Sequence, residues 1–308
     1  MTFGGKADPQ LDDIDLRILA LLQEDCRTPL VRLGVSPHAP YTVSDPLYSA
    51  VAAYAARESL PMAVHIAESE AERELVERGD GIFAAGLRKR GITIAARARS
   101  SIDLLDGLGV LACKPLLIHC VRIDERDIDA IAQSGSPVAH CPVSNAKLGH
   151  GTSPVVELLR SRVTVGIGTD SVASNNRMDM LGEARAAILA QRARTARHDV
   201  LCARDALLLA TLGGARALGL GAEIGSLEAG KSADLVAFPL EHSAVPVHDP
   251  EAAVIFALPG ARASLVTVAG RELVVDGELI ASDPALIARV DATAELMRQW
   301  ARQQENPS

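Results

Sequence analysis

Residues 115–141 read PLLIHCVRIDERDIDAIAQSGSPVAHC. Two apolar runs, PLLIHC and PVAHC, flank a helix-like segment at Asp124–Gln133. Near-continuous apolar strands separated by a helix are the signature of a parallel sheet covered on both faces. Both runs close on a histidine, His119 and His140, followed by a cysteine. A polar ring at the end of a buried strand needs a reason.

The same texture extends in both directions. LGVSPH (33–38), MAVHIAE (62–68) and VTVGIGTD (163–170) read as further strands, with helix-like segments at Pro46–Ser59 and Glu70–Arg90. A (β/α) barrel and a doubly wound sheet both satisfy this α/β pattern. Beyond residue 221 the texture changes to short strands with glycine turns, GSLEAGKSADLVAFPL and LVTVAGRELVVDGELI. The expected layout is therefore an N-terminal helical segment (1–32), a (β/α) domain (33–221), a small β-sandwich (222–282) and a C-terminal segment (283–308). The last carries an amphipathic helix, Pro284–Arg302, expected to pack on the barrel.

The 308 residues are 48% hydrophobic but only 3% aromatic, so the core must be built from Ala, Leu, Val and Ile. A net charge of −8 without a basic patch argues against a nucleic-acid or anionic-membrane partner. No apolar run reaches the length of a membrane span, and MTFGGKADPQ has no signal-peptide core. Cys26, Cys113, Cys120, Cys141 and Cys202 form no CxxC pair. An odd, scattered set fits reduced thiols, and a cytoplasmic location is expected.

The strand ends carry the chemistry. His38, His65, His119, His140 and Asp170 close the five runs in order, and Glu68 follows His65 by three residues. In parallel α/β proteins the carboxyl ends of the strands face one side, where ligands bind. Each residue taken singly has an ordinary explanation. A strand-end histidine can be a hydrogen-bonded core residue, Glu68 a helix-start carboxylate, and Asp170 an N-cap. Together, unpartnered burial would cost about 1–3 kcal/mol for each polar group. A shared divalent metal ion with bound water would satisfy several at once, and His and carboxylate ligands suit zinc or iron(II). Glu68 would then be a general acid/base beside the ion. His150, His198, His242 and His248 stand in polar or Pro-rich stretches and read as surface residues.

The motifs SPHAPYTVS, HIAES, IHCVRID, SPVAHCPVSNAKLGHG, GIGTDSVASNN and GSLEAGKSADLVAF occur in this order. The set resembles the amidohydrolase superfamily, in particular the aminohydrolase group of S-adenosylhomocysteine/methylthioadenosine deaminases, aminodeoxyfutalosine deaminase and triazine hydrolases. The resemblance implies a (β/α)8 TIM-barrel-type metal-dependent hydrolase with a small β-sandwich appendage, expected to deaminate an adenine-like or other amino-substituted heterocycle. The alternative is a catalytically impaired or inactive truncated protein of the same fold. It also implies one divalent metal, zinc in preference to iron, and a nucleoside or heterocyclic amine as substrate. By position, His65, Asp170 and His119 resemble metal ligands. Glu68, His119 and Asp170 resemble the catalytic groups that move protons and orient the attacking water. His38, Glu68 and His140 resemble substrate-contacting positions, with Asn145 and the Ser174-Asn175-Asn176 turn shaping the pocket. Lys231 belongs to the sandwich and is structural.

The family's first metal motif, His-x-His, is absent from these 308 residues. An N-terminally incomplete barrel is expected on that ground. Its open edge would pair with another copy, giving a homo-oligomer. In place of the usual start stands LDDIDLRILALLQEDCRTPLVRLG (11–34). Its first part is similar to the opening helix of leucine-responsive regulators, but no recognition helix follows. An amphipathic helix burying Ile14, Ile18 and Leu21 is the expectation.

Overall fold

The computed structural model describes residues 34–240, 245–281 and 285–305. The expected N-terminal helix, Cys26 and His242 lie outside these residues.

Four strands, β1 (Ala63–Ile66), β2 (Leu116–His119), β3 (Val138–His140) and β4 (Val165–Ile167), form one sheet in the order β1-β2-β3-β4. All three pairings are parallel. The expected strand at 33–38 is reduced to a single parallel bridge, Val35 to Met62. Val35 N donates to Pro61 O at 2.9 Å, and Ala63 N donates to Val35 O at 3.0 Å. Pro37 has no N–H to extend that ladder. The contact resumes only at His38, whose carbonyl accepts from His65 N at 2.8 Å.

Helices follow the strands. Asp45–Glu58 buries Tyr48, Ala52 and Ala55, a stripe at helical spacing. The expected helix 70–90 is two helices, Glu70–Arg78 and Gly81–Lys89. Gly79 ends the first in a left-handed conformation (φ 64°), and a Cβ there would lie 2.5 Å from Ala95 C. Only glycine closes the helix in that space. Glu125–Ser134 starts at Asp124, which accepts from Asp127 N, while Asp127 accepts from Asp124 N. This reciprocal cap satisfies two amides that no helical carbonyl reaches.

The core lies on the helix-covered face of the parallel sheet, where Val64, Leu117, Val138 and Val165 stand in register. The alternate residues Ala63, Leu116, Ile118 and Ala139 are only half-buried. Val64, Ile66, Leu117 and Val138 have no exposure, and neither do Ile102, Leu105, Ile131, Leu158 and Ile188 from the surrounding helices. Each such side chain contributes about 1.5–3 kcal/mol by leaving water. Where β4 meets the segment after residue 208, backbone packs on backbone. A Cβ on Gly166 would lie 2.8 Å from Gly214 Cα.

A second sheet, β5 (Leu235–Ala237), β6 (Leu265–Val268), β7 (Arg271–Val275) and β8 (Glu278–Leu279), is antiparallel throughout. Ala269-Gly270 and Asp276-Gly277, all left-handed, make its tight turns. The intervening helix Pro250–Ala257 returns to the main core through Ile255. The last helix, Leu286–Glu305, leaves Ile287, Val290, Met297 and Trp300 exposed.

Candidate metal centre and active site

The register pairs His65 with Ile118 and Ile66 with His119. Because side chains alternate along a strand, a regular ladder would send the two imidazoles to opposite faces. His119 and Cys120 instead take left-handed backbone, with φ of 79° and 48°. The alternation breaks there, and the rings of His65 and His119 come to 5.4 Å between centroids. Ala67 (φ 50°) and Asp170 (φ 58°) turn the ends of their strands in the same way.

These turns bring His65, His119 and Asp170 together, with one ligand atom from each lying within 4.8 Å of the others. His119 Nδ1 lies 2.9 Å from Asn145 Oδ1. An amide oxygen only accepts, so Nδ1 carries the proton and Nε2 presents a lone pair to the site. Asp170 Oδ2 accepts from Ser144 Oγ at 2.6 Å and Ser174 Oγ at 2.5 Å, which leaves its other oxygen unengaged by them. The buried Nδ1 of His65 has no hydrogen-bond partner among the described residues. Two imidazoles and a carboxylate are a donor set suited to a divalent metal. These residues fit one.

Glu68 stands beside this trio. Its Oε1 is 3.4 Å from His119 Nε2 and 3.4 Å from His150 Nε2, and its Oε2 accepts from the Tyr41 hydroxyl at 3.5 Å. The electrostatics separate the carboxylates. Burial, then the Asp170 charge, pushes Glu68 above the usual carboxyl range. Burial pushes Asp170 up too, but the Ser144 and Ser174 hydroxyls, with the Ser171 amide and His119, together hold it below its usual value. Burial and the neighbouring His65 lower His119 to about 4, while burial and His38 lower His65. Both rings are neutral, as a metal ligand must be. One carboxyl pushed towards its protonated form thus sits next to one pushed towards its ionised form, a pattern of acid/base sites.

Of the residues singled out in the sequence, His65, Glu68, His119 and Asp170 converge. His38 is exposed at the rim, 5.0 Å from the His65 ring centroid, with Nδ1 2.9 Å from Thr42 Oγ1. His140 is wholly buried, and neither ring nitrogen has a partner among the described residues. Asn175 joins the loops after β3 and β4. It donates to Glu183 Oε1 at 2.5 Å, and Glu183 Oε2 accepts from Val143 N at 3.1 Å. Lys231 Nζ donates to Gly221 O at 2.8 Å and Ser226 Oγ at 2.6 Å, away from the site.

His150 corrects the sequence reading. It was expected on the surface but is half-buried against Glu68. The loop carrying it is turned back by His150 N donating to Asn145 O at 2.9 Å. Its place directly after the SNAK stretch was the available signal. Tyr41 and Ser144 were also missed as individual residues, although both lie inside quoted motifs.

Residues 9–273 match the model of the amidohydrolase family. A 5-methylthioadenosine/S-adenosylhomocysteine deaminase from Syntrophobacter fumaroxidans is 36% identical over 286 residues, covering 92% of this chain and 60% of the relative. Among solved structures, an adenosine deaminase from Xanthomonas campestris with bound zinc aligns with a TM-score of 0.78 and 34% identity, over 95% of this chain and 62% of that one. Atrazine chlorohydrolase TrzN from Arthrobacter aurescens TC1, complexed with zinc, aligns with a TM-score of 0.73 and 27% identity, again over 95% and 62%. The chain thus spans about 60% of the length of these relatives. Neighbours of this family imply a TIM-barrel-type fold. The chain belongs to the amidohydrolase family.

Proposed function

We propose that this chain is a metal-dependent hydrolase that removes the exocyclic amino group of an adenine-like heterocycle, releasing ammonia. The observation that carries the reading is the meeting of His65, His119 and Asp170 within 4.8 Å, with Glu68 3.4 Å from His119. In this reading β1–β4 are an arc of a (β/α)8 barrel and β5–β8 belong to the small β-sandwich. His65, His119 and Asp170 would hold one zinc ion, with iron(II) as the other candidate. The chemistry such an ion supplies is acidification of water at the carbon under attack.

The protein's own groups do the rest. Glu68, whose hold on a proton burial strengthens, gives a proton to the ring nitrogen beside that carbon. Asp170, which two hydroxyls, the Ser171 amide and His119 together hold ionised, takes the proton that water loses. His119, locked by Asn145, orients the attacking oxygen. The hydroxyl of the adduct returns a proton to Glu68, which passes it to the departing amine. The proton on Asp170 resets Glu68 through solvent, so that water and the amino-heterocycle become the oxo-heterocycle and ammonia. His38 and Tyr41 border the substrate from the rim. The relatives' names set the panel: adenosine, 5-methylthioadenosine and S-adenosylhomocysteine, with a chlorotriazine as the alternative leaving group. Ammonia release from a nucleoside by zinc-loaded protein, reduced about 100- to 10,000-fold in Glu68→Gln, is expected. Zinc-loaded protein that releases neither ammonia nor chloride from the panel overturns the reading.

A further inference from the structure

The loop that aims Glu68 is gripped by a second carboxylate that the reaction does not use. Glu72 has no solvent exposure and no cationic partner among its hydrogen bonds. Its Oε1 accepts from Ala67 N at 2.7 Å and Ser101 Oγ at 2.6 Å, and its Oε2 accepts from Glu68 N at 3.0 Å. Ala67 is the left-handed residue at which the chain leaves β1. A residue with a Cβ pays about 1–2 kcal/mol for that backbone, so something must hold it there. On the other side of the same peptide, Ala67 O accepts from Val121 N at 2.8 Å and Arg122 N at 2.7 Å. Ser69 Oγ closes the ring by accepting from Glu72 N at 3.2 Å. Both oxygens of Glu72 are thus spent on the two amides that set the direction of the Glu68 side chain.

We propose that Glu72 is a positioning residue for Glu68, clamping the Ala67–Glu68 backbone so that the acid/base carboxyl meets His119 and the substrate. The proposal rests on Glu68 having the role assigned above. A misplacement near 1 Å at a reacting group costs about 100-fold. In Glu72→Gln, one oxygen remains for two amides and a hydroxyl, and kcat is expected to fall 10- to 100-fold with KM within about threefold. In a Glu68→Gln background the same change is expected to add less than about twofold, because residues acting as a unit are not additive. Ser101→Ala, which removes one donor to the clamp, is expected to lower kcat a few-fold in the same direction. It keeps the test alive if Glu72→Gln does not fold.

A readout independent of turnover is amide hydrogen exchange at Ala67 and Glu68, measured in the zinc-loaded chain with and without Glu72→Gln. Exchange at these two amides is expected to rise at least tenfold while β2 amides stay protected. Lower thermal stability with unchanged kcat and unchanged exchange at Ala67 and Glu68 would make Glu72 a packing residue and overturn the proposal. So would full additivity with Glu68→Gln. If the chain turns over no substrate, the hydrolase reading fails, and the exchange experiment alone decides whether the clamp exists.

Discussion

The two four-stranded sheets are made of similar material and treated differently. AVHI, LLIH, VAH and VGI form the parallel sheet, while LVA, LVTV, RELVV and EL form the antiparallel one. In β4 every residue is buried, whereas in β5 every residue is exposed. Apolar content therefore does not tell the sheets apart. An exposed valine is ordinary, whereas a buried polar group calls for an explanation. The three histidines fall only in the parallel sheet, and the chemistry lies at its carboxyl end.

The largest effect that would test this contrast is on metal and turnover. His65→Ala or Asp170→Ala is expected to reduce metal from about one ion per chain to near none and activity by at least 1,000-fold. Elemental analysis and an ammonia assay read both. A variant that keeps its metal would break the contrast at its centre. A smaller effect concerns stability. Leu117→Ala, in the buried sheet with no exposure, is expected to cost about 2–5 kcal/mol in denaturant unfolding. Val236→Ala, 58% exposed in the antiparallel sheet, should cost no more than about 0.5 kcal/mol. Comparable costs would mean that the antiparallel sheet is covered in solution.

The third effect is one of pH. Burial lowers His140 to about 3, so between that value and the ordinary imidazole range the unfolded chain binds a proton that the folded chain refuses. Stability contributed by the neutral ring is present above about pH 6.5 and is lost as the pH falls towards about 3. His140→Leu removes the ring without stranding a partner, because neither nitrogen has one among the described residues. Its stability at pH 7 should be within about 1 kcal/mol of the parent, by analogy with other volume-conserving core swaps. Its unfolding free energy should also vary less between pH 4 and pH 6.5. An unchanged acid slope would show that His140 titrates normally. The smallest expected effect is Lys231→Ala, which should lower thermal stability by a few degrees through Gly221 and Ser226 and leave kcat alone.

How much of this was legible follows from what each residue type encodes. Repeating apolar runs separated by amphipathic segments signal a parallel sheet, although in β1–β3 only the helix-covered face is fully buried. Strand-end position marked His38, His65, His119, His140 and Asp170 as one set, and the resemblance to the amidohydrolases singled out His65, His119 and Asp170 within it. The break in side-chain alternation at His119 was not legible, because nothing in a His-Cys pair encodes left-handed backbone. It lies in the main chain at His119 and Cys120, against the register of β1 and β2, with the His119 ring held on Asn145. His150 was hidden for a related reason. Its loop folds back through a backbone bond to Asn145, and backbone bonds leave no trace in composition. Gly79 was the clearest missed signal, a glycine inside a long amphipathic run where a helix could stop.

The left-handed residues at Ala67, His119, Cys120 and Asp170 have one further consequence. Each is strained, and neighbouring amides, hydroxyls and strands hold each in place, so the distortion belongs to the scaffold rather than to any guest. Uptake of a cation or substrate would then require little rearrangement of the main chain. Mutational drift at Ala67 and Cys120, which carry none of the proposed chemistry, should be tolerated towards glycine and resisted towards valine, isoleucine or threonine.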